Sequence, residues 1–369
     1  MSDFDVVIVG AGIAGASLAA EIGAEKSVLL LEAESVAGYH STGRSAAFWT
    51  ETYGGPAIQP LTSASGAFLS APPPEFSETS LLHPRGALHL GQKGDAVAAS
   101  DMLSDFARSG VALEKLEPGD VAQHITGLRP GWSEALWEPD CCDIDVGGLH
   151  TGYLKIARKK GVQLLCNAPL TSARFANHRW SISAGGSQYT ARTLINAAGA
   201  WADVVAQMAG IKPIGITPYR RTIMQLAVEP AASPDLPLVV GLDGSFYFKP
   251  EASGRLWLSP HDEIATEPCD AAPEELDVAL AIDRFHQVVD WHITRLERKW
   301  AGLRSFAPDR LPVIGRDPDM PEFFWLAGQG GFGIQTAPAV ASMAAALLLD
   351  RTHSVPNANA TDYAPERLR

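Results

Sequence analysis

The stretch Asp5-Val6-Val7-Ile8-Val9-Gly10-Ala11-Gly12-Ile13-Ala14-Gly15, with the small-residue segment Ala16–Ile22 and the run Val28-Leu29-Leu30-Leu31-Glu32 behind it, decides the fold. An apolar run cut off by glycine reads as a parallel strand buried on both faces. Gly10 permits the tight turn, Gly12 lets backbone approach a pyrophosphate, and Gly15 lets the helix lie close on the strand. The helix N-terminus, with Ile13 and Ala14 in its first turn, offers free N–H groups and partial positive charge to phosphates. Glu32 lies 20 residues past Gly12, at the end of the second strand, where its carboxylate can accept from a ribose hydroxyl. Glycine turns alone are common, but strand, fingerprint, helix, second strand and acid in this order specify a dinucleotide site. The acid disfavours a 2′-phosphate, which leaves FAD or NAD.

The next segment tilts that choice toward FAD. Gly38-Tyr39-His40-Ser41-Thr42-Gly43-Arg44-Ser45-Ala46-Ala47 is rich in small and hydroxyl residues directly after the ribose acid. Such a loop suits a diphosphate and a flavin ring: Ser41, Thr42 and Ser45 can hydrogen-bond them and Arg44 can offset phosphate charge. His40 reads as a hydrogen-bonder within the loop. Phe48, Trp49 and Tyr53 follow; aromatic clusters are usually core, but beyond a flavin loop some rings can face substrate.

Composition bounds the rest. The 369 residues are 46% hydrophobic, enough for a large core and two domains. A net charge of −13 without a basic cluster argues against nucleic acid as a partner. The four cysteines show no C-x-x-C or zinc-ligand spacing, so they read as reduced thiols, and no metal is expected. The first strand is read as starting within five residues, so no signal peptide is expected, and the apolar run Ala337–Leu349 is too short to span a bilayer. The expected setting is cytoplasmic, with no integral membrane segment.

In chain order, Ala87–Leu90 reads as a strand, and Asp95–Arg108, Glu117–Gly127 and Val146–Lys160 as helices, the last capped by Asp145. Val162–Cys166, Leu170–Phe175, Trp180–Ser183 and Gln188–Tyr189 read as strands. Leu194-Ile195-Asn196-Ala197-Ala198-Gly199-Ala200-Trp201 brings the chain back to the cofactor, its small residues allowing close approach. Ile216–Val228 is a long strand on which Arg220 and Arg221 point to opposite faces. Ser245–Pro250 and Arg255–Ser259 form a hairpin, Glu274–Trp291 a helix, and Trp300–Phe306 a strand with Arg304 in an apolar setting. Such an arginine needs a partner, either an internal acid or a substrate carboxylate held in a bidentate fork. Phe323–Ala327, the loop Gly328-Gln329-Gly330-Gly331-Phe332-Gly333-Ile334-Gln335-Thr336 and a helix from Ala337 repeat the strand–glycine–helix design. The tail from His353 is loop-like.

Together these motifs resemble the D-amino acid oxidase superfamily of FAD-dependent amine oxidoreductases, and within it bacterial D-amino acid dehydrogenases of the D-arginine type. The carriers are Gly10–Gly15 with Glu32, Gly38–Ala47, Asn196–Trp201, Ser245–Pro250, Gly302-Leu303-Arg304-Ser305-Phe306 and Gln329–Thr336. The resemblance implies an α/β fold: a Rossmann-like FAD-binding domain from 1–47, 138–212 and 299–369, and an α+β substrate domain from 48–137 and 213–298. The second would lay a mainly antiparallel sheet over the flavin. Non-covalent FAD would contact Gly10, Gly12, Ile13, Ala14, Gly15, Glu32, Ser41, Thr42, Arg44, Ser45, Ala46, Ala47, Ala198, Gly199, Trp201, Gly302, Gly330, Gly331, Phe332, Gly333, Ile334 and Gln335. Arg221 and Arg304 would grip an α-carboxylate, Tyr53 and Tyr247 would donate hydrogen bonds, the Gly331 carbonyl would accept from the amine, and Gln335 would sit near the ring.

The implied reaction is oxidative deamination of a D-amino acid to a 2-oxo acid and ammonia, by hydride transfer from Cα to flavin N5, with oxygen or a quinone as final acceptor. Two departures bear on the substrate. The arginine-selective enzymes carry an acid where this chain has Ala87 and a histidine where it has Phe48. Phe48 and Ala87, with Leu238 and Val240 opposite, would make an apolar pocket, hence neutral or hydrophobic side chains. The alternatives are glycine, sarcosine or another N-alkyl amino acid, more remotely a flavin domain of tRNA modification, and a non-catalytic dinucleotide sensor.

Overall fold

The computed structural model describes residues 2–369. Strand Ser2–Val9 lies at the centre of one sheet, parallel to Val28–Leu31 on one side and to Ser187–Asn196 on the other. Val6 and Ile8 enter one apolar cluster and Val7 and Val9 another, which is why the run alternates with nothing polar. Helices Ile13–Ile22, Val146–Lys159 and Ala337–Leu348 cover the first face. Trp180, Phe323, Trp325 and the short helix Ala202–Met208 fill the second. Gln163–Leu165 extends the sheet beyond Val28–Leu31. On the other flank, Ser187–Asn196 is shared: its first half pairs antiparallel with Arg179–Ala184 and its last three residues pair parallel with Phe323–Ala327.

The second sheet is mainly antiparallel, the exception being Leu238–Gly241 beside Ala87–Gln92. Helix Glu275–Val288 packs its apolar stripe, Val278, Ala281, Phe285 and Val288, on one face. The opposite face fronts the site. Strand His292–Phe306 pairs with Thr217–Glu229 along its length. Its first part is largely exposed, whereas Ala301–Phe306 is buried, and Arg304 lies in this buried end, opposite Tyr219 of the same sheet.

The sequence reading is corrected in places. Gln188–Tyr189 and Leu194–Asn196 belong to one strand, and Trp300–Phe306 extends back to His292, across the domain boundary expected at 298/299. Helix Gln59–Ser70 and strand Trp132–Glu138 were not anticipated; the first is small and hydroxyl-rich with a weak apolar stripe. Asp145 caps its helix, accepting from Gly148 N–H at 2.8 Å. The tail contains two 3-10 turns, Ala360–Tyr363 and Pro365–Leu368. Among the described residues no acid, histidine and cysteine cluster could hold a metal, and no helix is long and apolar enough to cross a membrane.

Candidate active site

The glycine turn opens on a cleft of about 400 Å³. Gly10 has φ +102° and a Cβ there would strike the Ala197 carbonyl; a Cβ at Gly15 would strike the Gly10 carbonyl. Both positions therefore require glycine, for the turn and for helix–strand packing respectively. Glu32, 9% exposed, accepts from Ala11 N–H and from Glu34 N–H, each at 3.0 Å. It thus fixes the loop while lining the cleft. Ile13 N–H donates to Thr42 Oγ1 at 3.0 Å, tying the second loop to the helix start. His150 Nε2–H donates to the Ala11 carbonyl at 2.9 Å, and burial pushes this imidazole down, so it stays neutral. His40 bonds Glu34 at 2.9 Å, as a loop hydrogen-bonder should.

Gly12, Ile13, Ala14, Ser41, Thr42, Ser45, Ala198, Gly199, Trp201, Gly330, Gly331, Gly333 and Ile334 line the same cleft, so four distant segments converge. Gln329 also lines it, and its buried Nε2 has no protein partner among the described residues. An unspent donor, a glycine cradle and a helix N-terminus in one elongated cleft fit a flavin dinucleotide.

A second cavity of about 200 Å³ continues from the first through Ser45, Arg304, Gly331 and Ile334, which line both. Arg221 is 2% exposed; its Nε donates to the Asp262 carbonyl at 2.8 Å and its guanidinium meets Glu263 at 3.1 Å. Arg220, on the other face, pairs with Glu274 and Asp277. Arg304 is 6% exposed and has no ion pair or side-chain hydrogen bond among the described residues. Burial and then the Arg221 charge disfavour its cationic form, a strain that a bound carboxylate would relieve. Tyr53, Tyr247 and His261 complete this wall. Burial pushes the Tyr247 phenol up, which keeps it a donor. Burial, then the Arg221 and Arg304 charges, push His261 down to about 3. Its Nδ1–H donates to the Gly244 carbonyl at 2.7 Å, so the neutral ring stands between the two tyrosines.

Several expected contacts are redirected. Arg44 turns away from the cleft: its guanidinium donates to the Ala271 and Ala301 carbonyls at 3.0 and 3.1 Å and pairs with Asp270. Gly302 does not line the cleft; its missing Cβ makes room for Arg304 and Arg44. Gly15 serves packing rather than contact. Phe332 packs with Ile58 and Phe306. Ala46 and Ala47 line the smaller cavity. Gln335 lines it too, but its amide is spent on the loop carrying Tyr53, donating to Thr62 Oγ1 at 2.8 Å and to the Thr50 and Tyr53 carbonyls at 3.3 Å. Ser41 donates to the Leu303 carbonyl at 2.7 Å.

Phe48, Leu238 and Val240 do line the cavity, whereas Ala87 is sealed beneath it at 0% exposure. The pocket is also not wholly apolar. His89, on the same strand face two residues beyond Ala87, lines it with Thr50 and Thr52. Behind them Glu138, 1% exposed, accepts from Thr50, Thr52, His89 and Glu51 N–H. Sequence reasoning missed this group. The two-residue spacing of His89 from Ala87 was the available signal.

A family model described as "DAO: FAD dependent oxidoreductase" matches residues 5–347. The chain belongs to this family. Among curated relatives it is 24% identical over 368 residues to human mitochondrial dimethylglycine dehydrogenase, covering 91% of this chain and 41% of that protein. It is 26% identical over 309 residues to hydrogen cyanide synthase subunit HcnC of Pseudomonas aeruginosa, covering 76% of this chain and 70% of that one. The chain thus spans about two fifths of dimethylglycine dehydrogenase. Among solved structures, glycine oxidase from Geobacillus kaustophilus superposes with a TM-score of 0.85 at 19% identity, covering 99% of this chain and 98% of that one. L-proline dehydrogenase from P. horikoshii gives 0.86 at 22% identity, with the same coverages. The chain thus belongs to the FAD-dependent oxidoreductase family and shares the mixed α/β fold of these structures.

Proposed function

We propose that this enzyme oxidatively deaminates D-amino acids with neutral side chains to 2-oxo acids and ammonia. The observation that carries the reading is Arg304: a buried guanidinium without an acidic partner, beside Arg221, at the junction of the two cavities. A carboxylate is the anion that best fits two guanidinium forks. Arg221 and Arg304 hold it, Tyr247 and Tyr53 donate hydrogen bonds, and the Gly331 carbonyl accepts from the α-amine. That grip fixes which Cα substituent faces the cofactor cleft. When bound, FAD supplies the two-electron acceptor for the hydride leaving Cα. No general base is needed if the amine enters neutral, and His261 is too weakly basic to serve as one.

The D configuration and the division into a cofactor domain (1–47, 138–212, 299–369) and a substrate domain (48–137, 213–298) follow from the motif resemblance, with strand His292–Phe306 shared across the last boundary. FAD is held non-covalently in this reading, since none of the four free cysteines lines either cavity. Unpaired thiols also fit a cytoplasmic setting. Oxygen or a quinone takes the electrons onward.

The test is anaerobic mixing of the holoenzyme with D- and L-amino acids, glycine, sarcosine and dimethylglycine, following the flavin absorption band. Fast bleaching by neutral D-amino acids supports the proposal. Bleaching by L-amino acids or N-alkyl glycines alone overturns it and favours the secondary-amine chemistry in the name of the dimethylglycine dehydrogenase relative.

A further inference from the structure

The far wall of the substrate cavity is a hydrogen-bonding surface whose protons can be counted. Glu138 is buried at the end of strand Trp132–Glu138. It receives Thr50 Oγ1 at 2.8 Å, Thr52 Oγ1 at 2.7 Å, Glu51 N–H at 2.7 Å and His89 Nε2 at 3.0 Å. A carboxylate offers about four lone-pair sites, so four donors saturate it. Burial pushes this carboxyl up, but the bonds from His89, Thr52 and Thr50 more than offset that, so it remains ionised. Each threonine has one hydroxyl proton, and both go to Glu138. The Nε2 proton of His89 goes there as well. Thr50 and Thr52 line the cavity beside His89, and what their hydroxyls have left to show it is lone pairs on two oxygens.

Sheet register places this wall relative to the carboxylate grip. His89 is opposite Val240, and Val240 is opposite Tyr247. His89 therefore lies two strand spacings, roughly 10 Å, from the tyrosine strand, with Val240 between. A substrate whose carboxylate is held at Arg221, Arg304 and Tyr247 runs its side chain over Val240 toward His89.

We propose that this wall reads a hydrogen-bond donor on the substrate side chain, so that the preferred substrates are neutral amino acids whose side chain ends in a hydroxyl or amide N–H. The inference rests on the amino acid reading of the cavity and narrows it. An aliphatic side chain would bury two unpaired hydroxyl acceptors. A carboxylate side chain would meet only lone pairs. An ammonium or guanidinium would find no carboxylate oxygen free for contact, since the lone pairs of Glu138 are already filled.

The test compares D-homoserine with its O-methyl ether, and D-glutamine with its N,N-dimethylamide, by anaerobic flavin bleaching. The wild-type enzyme should favour the donor member of each pair by roughly tenfold in kcat/KM, chiefly through KM. Thr50→Val with Thr52→Val should bring each ratio to within about twofold, and Thr50→Ser with Thr52→Ser, which keeps the hydroxyl oxygens, should recover much of it. Flavin content and Tm report whether the variants fold. The wild-type comparison does not depend on them. Equal rates within each pair, or D-lysine turned over faster than D-homoserine, overturn the inference. If aliphatic D-amino acids bleach the flavin and the ratios are one, only the role of this wall falls. If no amino acid bleaches it, the reading of the cavity falls as well.

Discussion

Replacing Arg304 by methionine separates a substrate-gripping arginine from a structural one. The side chain is almost fully buried, lacks an acidic partner among the described residues, and lies beside the second buried cation, Arg221. In the free enzyme its charge is a cost, because desolvation and like charge both act against it. Methionine removes that cost and roughly keeps the volume, so folding stability should hold or rise by about 1 kcal/mol. With substrate bound the balance reverses. Removing one partner of a buried, hydrogen-bonded charge pair costs about 3–5 kcal/mol, which lowers kcat/KM roughly 10²- to 10⁴-fold. Arg304→Lys keeps the charge but not the fork and should fall between. The assay pairs anaerobic stopped-flow bleaching with thermal melting and flavin content. A loss in kcat/KM below fivefold at full flavin occupancy would refute the reasoning. So would a fall in Tm of many degrees, which would mark Arg304 as a structural ion.

Gly331→Ala places a Cβ on the Tyr53 hydroxyl, so turnover should fall tenfold or more while Tm moves little; a fully active variant would show that Tyr53 does not need its position. Glu32→Ala strips the partner from Ala11 N–H and Glu34 N–H, and FAD affinity measured by titration of the apoprotein should weaken roughly tenfold. His261 in the folded protein refuses a proton that the unfolded chain accepts near its ordinary value of 6.5. Its stabilising contribution is present above that pH and fades as pH falls toward 3; between pH 7.5 and 5.5 the loss is about 1.3 kcal/mol. His261→Gln should lose that much less over the same interval in urea denaturation.

The nucleotide half was legible because its signals are local. Turn, helix start and acid all lie within Gly10–Glu32, and the steric reasons for Gly10 and Gly15 follow from the local spacing alone. The redirected residues share a different cause. Arg44 sits in the right loop, but the acceptors that claim it, at Ala271, Ala301 and Asp270, come from segments more than two hundred residues away. Gln335 is likewise claimed by the Thr50–Tyr53 loop. Long flexible side chains go to the nearest unmet hydrogen bond, and sequence spacing does not reveal who that neighbour is. The His89–Glu138 pair was hidden for a related reason. Strands Ala87–Gln92 and Trp132–Glu138 are antiparallel partners, but the second carries no clean alternation to announce it.

The sharing of strand Ser187–Asn196 bears on how the chain comes off the ribosome. Strand Ser2–Val9 finds Val28–Leu31 almost at once, but its other edge waits for residues near 190. At typical synthesis rates that interval is about 10–40 s. Throughout it, an apolar strand edge stands open to pairing with any other chain. The cofactor cradle closes later still, because Phe323–Ala327 and the glycine loop behind it complete the sheet and the cleft together. Because the same late segment supplies both the last strand and the glycine loop of the cleft, a chain cut short before Phe323 lacks a complete flavin site.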